Sequence, residues 1–344
     1  MKVSICFPQY NRIEYLLTSL SIIENQTYSN IEICISDDAS SDNTLKEIKN
    51  LTGSYKFPIN YHRFSENVGY DRNYRKSIEM ANGEYAFVLG NDDSLNGVDT
   101  IQNLVFFLQK NNLPEIGFCN MIEEISNNAL IERAKMTSVL GNGPEVALNY
   151  YSSFSFVGGL IFKKDSFLKY NTSKYDKSIY AQMYLAVLMI ASGETLFSIK
   201  EPLVIKDLVV KEVVRGSYRD RLIRTWRDFK IVDGGLPSVI NVLINAIYDS
   251  GFGSQKNYYK IYKRIYQVTY PYWLLDYREN KAFINAVGLS IGLNPRRYIN
   301  FKKLSFFNRA KIILIFWMST IIGLLFPVFL FKKVKSKLYK IFKK

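Results

Sequence analysis

Apolar and polar positions recur with two different periods over the first hundred residues. Residues 3–7 (Val-Ser-Ile-Cys-Phe) are nearly all apolar, as in a strand covered on both faces, and Pro8 is expected to stop it. Over 13–25, Leu16, Leu17, Leu20 and Ile23 follow the spacing of one helix face. Residues 31–36 (Ile-Glu-Ile-Cys-Ile-Ser) predict a second strand that runs into Asp37 and Asp38. A helix follows, with Ser41 or Asp42 as its N-cap. A third short strand is predicted at 58–63, a helix at 71–81, and an apolar strand over Tyr85–Leu89 that is broken by Gly90-Asn-Asp-Asp93. Strands alternating with helices predict an α/β domain on a mainly parallel sheet. Ligands of such sheets sit beyond the carboxyl ends of the strands. Polar clusters lie at three of those ends, 8–12, 37–42 and 90–94, and are expected to face one crevice.

Beyond residue 115 the pattern weakens. Residues 154–163 read as a strand with a glycine bend, 178–192 as an apolar helix, and 196–205 as a strand interrupted by Glu201-Pro202-Leu203. Helical spacing dominates 217–295, where the Tyr-rich stretch 258–277 suits a helical core better than a cleft. The last pattern is a charge-free run, Ile312 to Phe331. As a helix it would be roughly 30 Å long, near the thickness of a bilayer core. The expected division is a catalytic domain over 1–210 (halves 1–100 and 101–210), a helical extension over 211–300, and a basic, apolar attachment segment over 301–344.

Charge changes this picture at one place. The net charge of +14 points to a nucleic-acid binder until it is located: residues 296–344 carry 13 Lys or Arg and no acid, which leaves the body at +1. A nucleic-acid enzyme spreads positive charge along its working groove, so no nucleic-acid partner is expected. Basic residues flank the apolar run on both sides, Arg309 and Lys311 before it and seven lysines from Lys332 to Lys344 after it. A single span would put one basic flank outside, against the positive-inside tendency. An in-plane helix, or a bend at Pro327, keeps both flanks at an anionic cytoplasmic leaflet, so monotopic attachment is expected. Cys6, Cys34 and Cys119 are widely spaced and read as buried free thiols in a reducing compartment. Met1 runs directly into a strand with no apolar leader ahead of it, as in a cytoplasmic chain.

The strand ends carry the chemistry. Paired carboxylates just past a buried strand, Asp92 and Asp93, repel each other unless a cation joins them. Mg²⁺ or Mn²⁺ takes carboxylate and phosphate oxygens and stabilises a departing diphosphate. Gly-Asn-Asp-Asp-Ser is also good turn chemistry, and Asp37 to Asp42 also suits an ordinary helix cap. Pro8, Gln9, Tyr10, Asn11 and Arg12 offer an aromatic face with polar atoms beside it. Asn67, Gly69, Arg72 and Asn73 set a guanidinium near a glycine loop, suited to a diphosphate. The loop is neither a Walker loop nor a dinucleotide fingerprint.

Taken together, four segments resemble the family 2 glycosyltransferases of the GT-A fold: Val3 to Asn11, Ile31 to Thr44, Glu66 to Asn73, and Ala81 to Asp93. The resemblance implies an α/β GT-A domain and transfer from a nucleotide-diphospho-sugar, with a UDP-type donor favoured by Tyr10 and Asp38. It implies that Pro8, Tyr10 and Asn11 meet the nucleoside, that Asp38 contacts the base beside Asp37, that Asn67, Gly69, Arg72 and Asn73 line the diphosphate side, that Asp92 lies on the ribose side with a catalytic role, and that Asp93 binds Mn²⁺ or Mg²⁺. One departure is visible, since many members have Asp where this chain has Gly90. A lipid-linked saccharide acceptor, bacterial surface polysaccharide synthesis and a place at the cytoplasmic face of the inner membrane fit the basic tail.

The general base is harder to place. Members often carry Glu-Asp at a helix start where this chain has Tyr180-Ala-Gln-Met-Tyr184, and neither Gln182 nor Met183 is a base. Asp176 is the nearest carboxylate and the candidate base, though it also suits a helix cap; Asp165 and Glu201 are further candidates. This change resembles a subset that includes abequosyltransferase-like enzymes. It also keeps a second function open, a catalytically silent sugar-nucleotide binder or scaffold. His62 reads as structural, and Arg224-Thr-Trp226 does not match the Gln-x-x-Arg-Trp motif of processive synthases.

Overall fold

A computed structural model describes residues 1–210 and 236–333. The expected helix over 217–235, Arg224 to Trp226 and the last lysines from Lys335 lie outside the described residues. The chain forms two compact units, one from Met1–Lys177 and Met189–Asp220, the other from Ser178–Leu188 and Arg221–Lys344.

The first elements follow in the predicted order: β1 (Val3–Gln9), α1 (Ile13–Ile23), β2 (Ile31–Asp37), α2 (Thr44–Leu51), β3 (Ile59–Arg63), α3 (Tyr70–Glu79) and β4 (Tyr85–Val88). Then come β5 (Ser94–Leu95), α4 (Thr100–Lys110), β6 (Ile116–Glu123), β7 (Ala129–Ile131), β8 (Ser138–Gly141), α5 (Pro144–Tyr150), β9 (Leu160–Lys163), α6 (Lys164–Tyr170), α7 (Ala181–Ala191) and β10 (Leu196–Lys206). They build one sheet in the order β3-β2-β1-β4-β9-β6-β10-β5, with β7 beside β6 and β8 beside β10. Strands β3, β2, β1 and β4 are parallel. Strands β6 and β10 are parallel to each other, and β9 runs antiparallel between β4 and β6. Val3, Ile5, Phe7, Ile31, Ile33 and Ile35 are buried with Leu16, Leu20 and Ile23 of α1 in one core. Each such side chain contributes roughly 1.5–3 kcal/mol by leaving water.

Three local expectations shift. Strand β1 runs through Pro8 to Gln9, paired with β2 up to Asp37. Its pairing with β4 ends at Cys6, so the missing N–H of Pro8 costs no ladder bond on that side. Asn43, not Asp42, occupies the N-cap position of α2, yet Asp42 serves two helix starts: its Oδ1 accepts from the backbone N of Thr44, the first residue of α2, at 3.0 Å, and its Oδ2 from that of Ile13, the first residue of α1, at 2.9 Å. Strand β10 persists through the predicted interruption as a bulge between Ile199 and Val204. Asn120 Nδ2 donates to the Lys200 carbonyl (2.7 Å) and Asn96 Nδ2 to the Pro202 carbonyl (2.7 Å), so the extra carbonyls keep partners. All three cysteines are buried and free.

The second unit is helical, with α8 (Leu236–Asp249), α9 (Gln255–Arg264), α10 (Tyr270–Glu279), α11 (Phe283–Gly292) and α12 (Phe306–Leu325). A wide π turn, Ile265–Thr269, joins α9 to α10 and accommodates Pro271, whose ring would clash in a regular helix. Tyr262, Tyr266 and Tyr270 form a buried column against Phe301 and Phe316, so this part of the Tyr-rich stretch is core. Helix α12, expected in a separate tail segment, packs on α9, α10 and α11.

Candidate active site

The carboxyl ends of β1, β2, β4 and β10 meet. After β1 the backbone turns through two left-handed residues, Asn11 (φ 54) and Arg12 (φ 59). Arginine rarely adopts that region. Here it is held because Asn11 N donates to Ser40 Oγ (2.8 Å) and Asn11 Oδ1 accepts from Ser41 N (2.9 Å). The turn aims Arg12 Nη1 at Asp92 Oδ2, 2.6 Å away. Tyr10 stands 47% exposed beside it, and its carbonyl accepts from Asn91 Nδ2 (3.2 Å).

At the end of β2 the two aspartates differ. Asp37 is fully buried: Oδ1 accepts from Ser40 N (2.9 Å), and Oδ2 accepts from Tyr61 Oη (2.6 Å) and pairs with Arg63 Nε (3.3 Å). Those internal partners occupy it. Asp38 holds the next loop, Oδ1 accepting from Val68 N (2.6 Å) and Oδ2 from Gly69 N (3.1 Å). Gly69 has φ +87, which favours glycine, and Asn67 Nδ2 reaches the Asp38 carbonyl (3.5 Å). Each Asp38 oxygen keeps a lone pair for a further donor. Burial, with Asp37 alongside, raises the Asp38 carboxyl above its ordinary value, against the pull of the two backbone donors. Asn73 donates to the Gln9 carbonyl (2.9 Å) from Nδ2, while its Oδ1 is buried without a partner.

The third cluster is the most charged. Asp92, Asp93 and Asp207 are all buried, and one oxygen from each lies within 4.8 Å of the others. This is the one such group among the described residues. Asp207 follows β10 in a left-handed conformation (φ 54), its N–H directed to Asp93 Oδ1 (3.3 Å). Burial first, then the Asp92 charge, pushes the Asp93 carboxyl up to about 7. Burial also raises Asp92; Arg12 opposes this and Asp207 adds to it. Lys206 pairs with Asp207 and reaches Glu123 Oε1 at 3.4 Å; although burial alone would lower its pKa, these acids raise it. Three buried carboxylates with hard oxygen donors, beside the cations Arg12 and Lys206 among the described residues, fit a divalent ion.

Two glycines wall the cluster. A Cβ on Gly90 would lie 2.7 Å from Asp93 Oδ2, so the aspartate common at this position does not fit beside Asp93 as it stands. A Cβ on Gly158 would strike the same oxygen. The loop ahead of β9 is fixed from below by the buried Arg133, which donates to the carbonyls of Cys119 (2.9 Å), Ser153 (3.1 Å) and Gly158 (2.6 Å). Phe156, on that loop, lies 5.9 Å from Lys206 Nζ.

Two predicted residues are not brought here. Arg72 pairs with Glu79 on its own helix (2.8 Å) and makes no described contact with the carboxylate cluster. Asp176 forms a two-point pair with Arg75, Oδ1 to Nε at 2.9 Å and Oδ2 to Nη2 at 2.6 Å, beside Glu79 and Asn171. Glu201 lies exposed in the β10 bulge, accepting from Thr137 Oγ1 (2.6 Å), and Asp165 opens α6 at the end of β9 remote from Gly158. Sequence reasoning missed Asp207, Lys206, Gly158 and Arg133, and did not single out Arg12 within its polar cluster.

Residues 4–145 match the family model Glycosyl transferase family 2. Abequosyltransferase RfbV of Salmonella typhimurium is 34% identical over 233 residues, 60% of this chain and 66% of that protein. The GalNAc(5)-diNAcBac-PP-undecaprenol beta-1,3-glucosyltransferase of Campylobacter jejuni is 32% identical over 99 residues, 27% of this chain and 30% of that protein. The chain thus spans just under two thirds of the first of these curated relatives and under a third of the second. Among solved structures, S. aureus TarS 1–349 in complex with UDP-GlcNAc superposes with a TM-score of 0.62 at 16% identity, covering 94% of this chain and 91% of that one. The corresponding complex with UDP gives 0.60 at 14%, covering 94% and 89%. At such identities the likeness is one of fold, and the fold is GT-A. The family match runs from β1 through β8, across every loop that carries Tyr10, Asp38, Gly69, Asp92 and Asp93, and this part of the chain is a family 2 glycosyltransferase domain.

Proposed function

We propose that this chain transfers a glycosyl group from a nucleotide-diphospho-sugar, of UDP type, to a saccharide carried on a polyprenyl diphosphate lipid, in the synthesis of a bacterial surface polysaccharide at the cytoplasmic face of the membrane. The observation that carries the reading is the buried trio Asp92, Asp93 and Asp207 beside the Asp38-held loop. The relatives support it: one is named an abequosyltransferase and another acts on an undecaprenyl diphosphate-linked glycan. TarS, of the same fold, holds UDP and UDP-GlcNAc.

In this reading the exposed face of Tyr10 stacks on the base, and the free lone pairs of Asp38 accept from a base N–H. Asn11, Asn67, Gly69 and Asn73 line the nucleotide, with Pro8 setting the strand end. Asp92, oriented by Arg12, meets the ribose. A divalent ion, Mn²⁺ or Mg²⁺, held by Asp93 and Asp207, would neutralise the charge that develops on the departing diphosphate. Lys206 keeps its proton beside Asp207 and adds a fixed positive charge to the same region. Asp176, tied to Arg75, serves the fold.

A thermal-shift screen of UDP-, GDP-, CDP- and dTDP-sugars with and without Mn²⁺ tests the donor class. Metal-dependent stabilisation by UDP-sugars, lost in Asp93→Ala together with transfer, is the expected result. Stabilisation without turnover on any lipid-linked acceptor would instead support a catalytically silent binder, which has only the missing Glu-Asp pair at 182–183 in its favour.

A further inference from the structure

The second unit keeps a broad apolar face uncovered. Along α12, Leu314, Trp317, Met318, Ile321, Ile322 and Leu325 recur at three- and four-residue spacing and are all more than half exposed. The opposite side, Ile312, Phe316, Thr320 and Gly323, is buried against α10, with Phe316 on Tyr270 (5.3 Å) and Thr320 Oγ1 bonded to Tyr270 Oη (2.8 Å). Helix α11 behaves alike: Ala286 and Leu289 are buried, while Phe283, Ile284 (75% exposed) and Ile291 face outward. Helices α10, α11 and α12 touch pairwise, so the flanks of α11 and α12 turned away from α10 share one side. In the stretch of chain that links the two helices and opens α12, Ile299 (81% exposed), Phe306 and Phe307 are exposed as well. A contiguous face of this extent marks an interaction site.

Charge identifies the occupant. From Arg296 to Lys333 the described chain carries eight cations and no acid, which suits an anionic lipid surface and not a second copy of the same basic face. The packing also fixes the orientation. Helix α12 runs beside α10 in parallel, from Phe316 at Tyr270 to Gly323 and Phe326, whose carbonyls accept from Arg278 Nη1 at 2.9 and 2.8 Å. After Phe326 and Pro327 the chain turns back, for the ring of Phe331 lies 5.5 Å from that of Tyr272, earlier in α10. Lys332 and Lys333 are thereby returned to the level of the middle of α12. Were α12 a span, these lysines and the neighbouring Lys260, Lys263, Arg264, Asp276 and Arg278 would be drawn toward the hydrocarbon.

We propose that α11 and α12 form a two-helix platform that lies in the plane of an anionic bilayer, apolar face down, and that α12 does not span it. The proposal deepens the membrane reading above and rests on the second unit alone. The test uses the full chain with single cysteines at Leu314, Ile321, Leu325 and Ile291, labelled with an environment-sensitive depth probe and floated with phosphatidylglycerol-containing or pure phosphatidylcholine vesicles. Expected are anionic-lipid flotation and the same shallow depth at all four positions, α11 included. The variant Leu314→Gln/Trp317→Gln/Ile321→Gln/Leu325→Gln should lower the bound fraction about tenfold, as should Lys302→Gln/Lys303→Gln/Lys332→Gln/Lys333→Gln. A depth maximum midway along α12 with Ile291 in water would overturn the in-plane seating. So would absence of flotation coupled to a concentration-dependent dimer that the Gln variant disrupts. Transfer to a water-soluble short-chain acceptor, measured in parallel, reports on the glycosyltransferase reading separately, because it does not require vesicles.

Discussion

Replacing Asp176 by asparagine separates a catalytic base from a structural ion pair. The Arg75 side chain is 4% exposed and that of Asp176 20%. Removing one partner of a fully buried pair costs about 3–5 kcal/mol, whereas an exposed pair is worth about 0.2–1 kcal/mol. In Asp176→Asn the new amide would keep an oxygen for the Nε–H of Arg75, and Arg75 retains Glu79 Oε1 at 3.0 Å and Asn171 Oδ1 at 3.1 Å. The expected loss is therefore intermediate, about 2 kcal/mol, which for a unit of this size lowers Tm by about 4–8 °C. Well below that Tm the variant remains folded, and kcat should stay within about twofold of the parent. A general base removed from its site would instead cost about 10²–10⁴ in rate. Melting curves and initial rates with a saturating donor, taken on the same preparations, decide between the two. A hundredfold fall in kcat with an unchanged Tm would refute the structural assignment and restore Asp176 as the base.

Other substitutions probe the cluster and the sheet. Asp207→Asn should lower the apparent Mn²⁺ affinity by at least about tenfold, read by Mn²⁺ titration of the thermal shift against the variant's own metal-free melt. Gly158→Ala places a methyl against the Asp93 carboxylate and should depress kcat with little change in the urea midpoint, measured side by side. Glu32 provides a pH-linked case at the opposite end of the strands. Burial pushes its carboxyl up, but Lys2 Nζ (2.6 Å), Ser4 Oγ (2.6 Å) and Asn82 N (2.5 Å) outweigh that and hold it at about 2, against an ordinary 4.5. A depressed carboxylate stabilises the fold above its unfolded value and loses that contribution as pH falls toward the folded one, here between about 4.5 and 2. Glu32→Gln should thus cost about 3 kcal/mol at pH 7, and urea midpoints of parent and variant should converge below pH 4.5.

What the sequence made legible follows from how local each determinant is. Asp92 and Asp93 could be found because a buried strand runs straight into them, and the strand is visible as an apolar run. Asp207 reaches the same cluster across a separation of 114 residues. Its only local sign is a carboxylate at the end of the apolar run Leu203-Val204-Ile205, the same sign that marked Asp93. Arg12 lay inside a recognised polar cluster, but its direction depends on two consecutive left-handed residues held by Ser40 and Ser41, which no periodicity reveals. Arg72 illustrates the opposite case, where chemistry was weighed ahead of helical phase. Arg72, Arg75 and Glu79 are spaced to share one face of α3, where they close an ion-pair cluster with Asp176, while Asn73 points to Gln9 from another side. Glu32 hid for a related reason: alternation in Ile-Glu-Ile-Cys-Ile reads as one solvent face, yet α3 covers that side of the sheet and the carboxylate is buried with Ser4 and Lys2. The tail was legible in charge and length alone. Its orientation was not, because the fold-back at Pro327 is fixed by a ring contact between Phe331 and Tyr272 across 59 residues of chain. Helix α12 passes a length test for a span, but its packing on α9, α10 and α11 is set by side chains distant in sequence and carries no sign in the apolar run itself.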